Sequence, residues 1–324
     1  MPHVLLAGPI HDDGMAVLHE APGFTLKLVN EISTESYAPF VGDADAILIR
    51  TQPLPASVIA TAPRLKIVSR HGVGYDAVDE KALTARKIPL AVVGDVNSRA
   101  VAEHTLMLML SAARRTVAHD RAIRQSGWNI RNRFETVELD GKTLLLVGFG
   151  RIGRRVAELA RAFGMQVLAH DPFMGAEAIS AHQAEPVARL DDGLPRADYV
   201  SLHVPLVAGG PVIGAAQLAL MKPGAILINA ARGGLVDELA LDQALTSGRL
   251  GGAGLDVFAQ EPPRAENPLL ANPLVTLSPH SAGLTAECAA RMGVAAARNI
   301  VDYFTGKLDP ALVVNAAAIG FKEG

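Results

Sequence analysis

Lys142 to Asp171, KTLLLVGFGRIGRRVAELARAFGMQVLAHD, decides how the rest of the chain is read. The apolar run Thr143–Val147 predicts a buried parallel strand. Gly148-Phe149-Gly150-Arg151-Ile152-Gly153 follows and opens a helical pattern, the order strand, G-x-G-x-x-G, helix. Gly148 permits the tight turn, Gly150 the approach of main chain to a pyrophosphate, and Gly153 the packing of helix on strand. Free N–H groups and the positive dipole end of the helix starting near Arg151 suit phosphates. A second strand, Gln166–His170, delivers Asp171, 18 positions past Gly153. A carboxylate there accepts from the adenosine ribose hydroxyls and repels a 2′-phosphate, so the cofactor expected is NAD rather than NADP. An isolated hexapeptide of this kind is only a Gly-rich turn; strand, helix, second strand and terminal Asp together make it a fingerprint.

Working outward, 324 residues suggest about two domains of ~100–200 residues each. A formal charge of −3 and a pI near 6.4, with Lys and Arg scattered, leave no electrostatic footprint for nucleic acid or an acidic membrane. Cys288 stands alone, which excludes a disulfide framework and fits a reducing cytoplasm. It reads as a small buried helix residue rather than a nucleophile. The N-terminus Met1-Pro2-His3-Val4-Leu5-Leu6-Ala7-Gly8 is a short strand without the features of a signal peptide. The apolar helix around Thr105–Ala113 is too short to span a bilayer. A soluble, cytoplasmic protein is expected.

Before residue 98, Val4–Ala7, Phe24–Val29, Ala46–Ile49, Leu65–Ser69 and Leu90–Val93 alternate with helical or polar stretches, the pattern of a parallel α/β sheet. Arg70-His71-Gly72-Val73-Gly74-Tyr75-Asp76 falls at the carboxyl edge of that sheet. The amides of Val73 and Gly74 there form either an anion-binding concavity or part of a plain turn. Asn97 or Ser98 can cap one long helix, Arg99 to about Arg124, apolar almost all round from Val101 to Ala113. Beyond Asp171, strands are expected at Tyr199–Val204, Ala225–Asn229, Gly254–Val257 and Leu274–Leu277, completing six. The last helix, Thr285–Phe304, and the tail come too late for that sheet and are expected on the first domain. The expected architecture is α/β with two doubly wound parallel-sheet domains. A Rossmann dinucleotide-binding domain, 99–284, is inserted into a flavodoxin-like substrate domain, 1–98 with 285–324.

Three titratable or charged residues follow successive late strands in Gly- or Pro-marked loops: Arg232 in NAARGGLVDE, Glu261 in LDVFAQEPP and His280 in LSPHSAG. A nicotinamide enzyme acting on an alcohol or carbonyl needs a proton carrier beside the reacting oxygen, and His suits that near neutral pH. A carboxylate on the second imidazole nitrogen fixes its tautomer and favours the protonated ring. An Arg fork holds a substrate carboxylate bidentately. Three solvated loop charges are the plain alternative. Nothing points to a metal site.

VGFGRIGRRVA, HVP, INAARGGLVDE, GLDVFAQEPP and LSPHSAG, in this order, together resemble the D-isomer-specific 2-hydroxyacid dehydrogenase family over nearly the whole chain. SRHGVGYDAVD and NSRAVAEHTLMLML are also similar to it. The resemblance implies that Arg232 binds the substrate carboxylate, that Glu261 tunes the histidine and that His280 carries the proton. It implies Arg151 and Ile152 along the pyrophosphate, Asp171 on the ribose, and Val204, Pro205, Ala230, Ala231, Ala282 and Gly283 against the cofactor. Asp256 would engage the nicotinamide carboxamide, and Val73 and Gly74 the substrate carboxylate. A homodimer is implied.

Within the family the chain most resembles 3-phosphoglycerate dehydrogenase-like members. Arg50 in ILIRTQP, Arg70, and Trp128 with Arg131 and Arg133 stand where those carry similar residues. These arginines either hold a second substrate anion or are dispersed on the surface. The stretch LVAGGPVIG after HVP lacks the Thr-rich acidic loop usual in the family, which puts cofactor contacts there in question. The activity expected is hydride transfer between NAD and C2 of a D-2-hydroxy acid, with a 3-phosphoglycerate-like substrate or, alternatively, glyoxylate or hydroxypyruvate. From another class, the chain is an NAD(H)-sensing binding protein or corepressor. A formate dehydrogenase is disfavoured, because such enzymes put Gln where Glu261 stands.

Overall fold

The computed structural model describes residues 1–206 and 209–322. The chain divides into two compact units, Met1–Asn97 with Leu284–Gly324, and Ser98–Gly283.

In the first unit, β1 (His3–Ala7), β2 (Thr25–Val29), β3 (Ala46–Ile49), β4 (Ile67–Arg70) and β5 (Leu90–Ala91) form a parallel sheet in the order β2-β1-β3-β4-β5. Their apolar runs are near-continuous because both faces are covered, as parallel sheets require. The helix Ala286–Phe304 lies in this unit and on this sheet: the main-chain oxygen of Ala296 accepts from Ser69 Oγ at 2.8 Å, and Asn299 donates to the Val92 carbonyl at 3.1 Å. It crosses the helix Asp12–Glu20 at backbone contact. A methyl group on Gly14 would sit 2.6 Å from the Gly293 carbonyl carbon. Cys288 is buried on this helix, and burial pushes its thiol up, so it is a core residue.

The second unit holds β6 (Thr143–Val147), β7 (Gln166–His170), β8 (Glu185–Pro186), β9 (Tyr199–Leu202), β10 (Ile226–Asn229), β11 (Gly252–Leu255) and β12 (Val275–Leu277), all parallel, in the order β12-β11-β10-β9-β6-β7-β8. Successive side chains point to opposite faces. Leu145 and Val147 therefore join one core with Leu202, Leu227, Leu241 and Leu245, whereas Leu144 and Leu146 join another with Met109, Val156 and Ala160. The chain leaves β6 for β7 and β8 on one side and returns to β9 on the other. The reversal lies between β6 and β9, where open sheets of this kind bind ligands beyond the carboxyl ends of the strands.

Three local readings change. The expected single helix Arg99–Arg124 is two, Ser98–Arg114 and Thr116–Arg124, broken at Arg115, which takes a left-handed φ of 48°. The first carries ten buried residues and the second none, so burial holds only the first against the sheet. The strand expected at Gly254–Val257 runs earlier, Gly252–Leu255, because Asp256 and Val257 turn away into a loop. The two-residue edge strand Glu185–Pro186 has too short an apolar run to be seen by periodicity.

Candidate active site

The glycine loop joins β6 to the helix Arg151–Ala162. Gly148 has φ +94°, and a Cβ there would sit 2.6 Å from the His203 carbonyl oxygen and 2.8 Å from Val204 Cγ1. Only glycine satisfies both conditions, so the loops after β6 and β9 touch through main chain. A Cβ at Gly153 would lie 2.4 Å from the Gly148 oxygen, which fixes how closely the helix meets the turn. Gly150 differs: a Cβ there meets nothing within 4 Å, and as N-cap it offers no side-chain acceptor to the helix amides. No acidic side chain stands in the first turn either. Packing within the chain does not account for glycine at this position; an anion approaching the helix N-terminus does. Asp171 closes the cradle, Oδ2 accepting from Phe149 N at 2.8 Å and Oδ1 from Phe173 N at 2.9 Å. Its carboxylate is thus held at the edge of the glycine turn with lone pairs left over. These residues fit a dinucleotide.

Val204 and Pro205 follow β9, with Val204 against the glycine turn; Val207 and Ala208 of the following loop lie outside the described residues. His203 lies half-buried before them, its Nε2 2.9 Å from Ser201 Oγ, and desolvation pushes it down to about 4. After β10 the buried Asn229 shapes the turn that carries Ala230, Ala231 and Arg232. Its Oδ1 accepts from Ala231 N at 3.1 Å and its Nδ2 donates to the Arg232 carbonyl at 2.8 Å. A Cβ on Gly233 would overlap the main chain of Phe258, so the Arg232 loop is pressed directly on the loop after β11.

That neighbouring loop carries Glu261. Its Oε2 lies 2.6 Å from His280 Nδ1, and its Oε1 accepts from Phe258 N at 3.0 Å. Burial pushes the Glu261 carboxyl up, but the bonds from His280 and Phe258 outweigh it and hold the group below its ordinary value. An ionised Glu261 on Nδ1 leaves Nε2 of His280 as the nitrogen for proton transfer. The His280 side chain is 52 % exposed, as a residue that must meet a substrate requires. Arg232, Glu261 and His280 therefore stand on loops at the carboxyl ends of β10, β11 and β12, the same edge as the glycine turn.

Asp256, to which the resemblance gives the nicotinamide carboxamide, has a structural part within the chain. Its side chain is fully buried, and both oxygens are engaged by the chain: Oδ1 by Ser278 Oγ (2.6 Å) and Ser281 N (2.9 Å), Oδ2 by Ala282 N (2.9 Å). Those bonds and His104 outweigh burial and keep it ionised. It anchors the His280 loop, and Ala282 and Gly283 follow within that anchored turn. His104, with Nε2 2.8 Å from Ser278 Oγ and 3.3 Å from Asp256 Oδ1, escaped the sequence reading. Its neighbour Glu103 and the other polar residues of that helix left it without a distinguishing signal.

In the first unit, Arg50 and Arg70 stand at the carboxyl ends of β3 and β4, Arg50 Nη1 donating to the Pro9 carbonyl and Arg70 Nη1 to that of His71. Two further residues at these strand ends were not singled out by the motifs. Gln52 and His71 are 2 % and 6 % exposed, and both polar atoms of Gln52, Nε2 of His71 and Nε of Arg50 are buried without a partner among the described residues. Burial and the two guanidiniums push His71 down to about 4. Val73 and Gly74 follow, half-buried. In the second unit, Arg131 lies over the exposed Trp128 ring at 5.3 Å, with Arg133 ending the same turn. No helix among the described residues is long and apolar enough to cross a membrane.

The family model for the D-isomer specific 2-hydroxyacid dehydrogenase NAD-binding domain matches residues 106–282. The chain is 37 % identical over 310 residues to D-3-phosphoglycerate dehydrogenase of Methanocaldococcus jannaschii, covering 95 % of this chain and 58 % of that one. It thus spans under two thirds of that relative's length. It is also 37 % identical to glyoxylate reductase of Korarchaeum cryptofilum, over 96 % of both chains. A crystal structure of a protein from Thermus thermophilus superposes with a TM-score of 0.88 at 33 % identity, covering 96 % of this chain and 99 % of that one. With its NAD-binding domain matched over more than half its length, the chain belongs to the D-isomer-specific 2-hydroxyacid dehydrogenase family.

Proposed function

We propose that the protein is an NAD-dependent oxidoreductase that moves a hydride between nicotinamide and C2 of a D-2-hydroxy acid or its 2-oxo partner. The observation that carries this reading is the 2.6 Å His280–Glu261 pair on the sheet edge that also holds the glycine turn and Arg232. NAD, when bound, supplies or accepts the hydride. Gly148, Gly150, Arg151, Ile152 and Gly153 hold its pyrophosphate, Asp171 its ribose, and Val204, Pro205, Ala230, Ala231, Ala282 and Gly283 line it. Arg232 grips the substrate carboxylate through its fork. In oxidation His280 Nε2 takes the hydroxyl proton; in reduction it returns one to the carbonyl oxygen, while Glu261 stabilises the protonated ring. A binding protein or corepressor needs no such acid–base pair.

Two substrate classes fit. Buried atoms of Arg50, Gln52 and His71 without partners favour a substrate with a polar or anionic distal group, as in 3-phosphoglycerate, since such atoms are costly unless something pairs with them. The full-length match to a glyoxylate reductase favours a short 2-oxo acid. Met1–Asn97 with Leu284–Gly324 serves as the substrate domain and Ser98–Gly283 as the NAD domain. The homodimer is supported by the exposed Val117, Ile123, Trp128 and Phe134, four large apolar side chains within one stretch of the second unit. A cytoplasmic location accords with the lone buried Cys288. The test is NADH or NADPH oxidation with glyoxylate, hydroxypyruvate and phosphohydroxypyruvate. Turnover with NADH supports the reading, and the preferred oxo acid chooses between the classes. No turnover with any 2-oxo acid contradicts it.

A further inference from the structure

His280 is held in a backbone conformation that L residues avoid, with φ +51°. Such a backbone is strained and persists only where its surroundings over-determine it. Besides the Glu261 bond to its ring, the constraints on this loop converge on Asp256. The Asp256 carbonyl accepts from His280 N at 2.7 Å, and its carboxylate holds Ser278 before the histidine and Ser281 and Ala282 after it. Asp256 therefore clamps His280 from both sides.

The clamp continues to a helix. Ser278 Oγ donates its one proton to Asp256 Oδ1, so toward His104 it can only accept. The 2.8 Å contact then requires the proton on His104 Nε2, which gives a directed chain His104 Nε2–H, Ser278 Oγ–H, Asp256 Oδ1. His104 sits on the buried helix Ser98–Arg114, with its side chain 16 % exposed. The loop's aim is thus tied to a rigid element of the same unit.

We propose that His104 is a positioning residue for the reaction: acting through Ser278 and Asp256, it fixes the left-handed backbone of His280 and so the alignment of that ring with Glu261. It does not touch the reacting atoms. The inference rests on the acid–base role given to His280 above, but the alignment it describes exists whether or not that role is right.

The experiment compares wild type with His104→Leu, which removes the donor, His104→Gln, which keeps an N–H donor, and Ser278→Ala, which breaks the chain one link later. Two readouts are taken on protein shown by thermal melting to be folded. One is steady-state kcat and KM for the best 2-oxo acid with NADH. The other is the downfield ring N–H proton resonance of the His280–Glu261 bond, assigned by its loss in Glu261→Gln. Expected are a fall in kcat of about 10- to 100-fold in His104→Leu and Ser278→Ala, the scale of a small misplacement of a catalytic group. KM for the oxo acid should stay within about threefold, because Arg232 is untouched. The resonance should be lost or broadened in both, and His104→Gln should recover both signals. Unchanged kcat with the resonance intact in His104→Leu overturns the proposal; so does a fall in kcat with the resonance intact. If wild type turns over no 2-oxo acid while the resonance still follows His104, the functional reading fails and the positioning role stands.

Discussion

In the proposed reaction Glu261 and His280 would share the proton transfer, the ring moving the proton and the carboxylate deciding which nitrogen carries it. Replacing His280 with Gln should lower kcat by about 10²- to 10⁴-fold, the usual share of general acid–base catalysis, with NADH affinity by fluorescence titration little altered. Arg232→Lys keeps the charge but loses the fork, so KM for the oxo acid should rise at least about tenfold in steady-state assays. A titration prediction belongs to His71, held neutral to about 4 inside the protein against an unfolded value near 6.5. The unfolded chain therefore binds more protons between about pH 6.5 and pH 4, so stability falls as pH drops through that window. Urea melts should show a shallower decline for His71→Gln than for wild type. Equal slopes would mean that His71 is not the group titrating. At this scale the sequence pointed to Arg232, Glu261 and His280 as candidates because each follows a strand in a Gly- or Pro-marked loop. It did not disclose His104, Gln52 or His71, since their meaning lies in partners far along the chain, or in the lack of them.

The elements that carry the site are short strands whose carboxyl ends meet through glycines. Gly148→Ala should cost both stability and NADH affinity, because the methyl group meets the His203 carbonyl and the φ is adverse. A Gly150→Ala change should leave the melting temperature nearly unchanged while weakening NADH binding, since its Cβ meets no protein atom. That contrast, read by differential scanning calorimetry and fluorescence titration, separates a packing glycine from a ligand glycine. Most strands were legible because parallel strands covered on both faces write unbroken apolar runs. The break at Arg115 was not, because both helices around it have helical patterns and only their burial differs. Arg115→Gly should stabilise by about 1 kcal/mol in urea unfolding, relieving the left-handed backbone.

For the whole molecule, the return of the Ala286–Phe304 helix to the first sheet makes that unit discontinuous. The sequence foretold this by leaving a helix over once six strands were counted. Assembly is less legible, because an apolar surface segment does not name its partner. If two copies meet through Val117, Ile123, Trp128 and Phe134, light scattering should give twice 34.0 kDa, and Trp128→Asp with Phe134→Asp should halve it.

Everything chemical depends on Asp171, the glycine turn, Arg232 and His280 serving one hydride transfer. The most direct measurement is the rate of NADH oxidation by a panel of 2-oxo acids, run in parallel with NADPH and with His280→Gln. The account predicts turnover with at least one oxo acid, a preference for NADH set by the Asp171 carboxylate, and loss of that turnover in the variant. A protein that binds NADH yet consumes none, or a His280→Gln variant as fast as wild type, would contradict it.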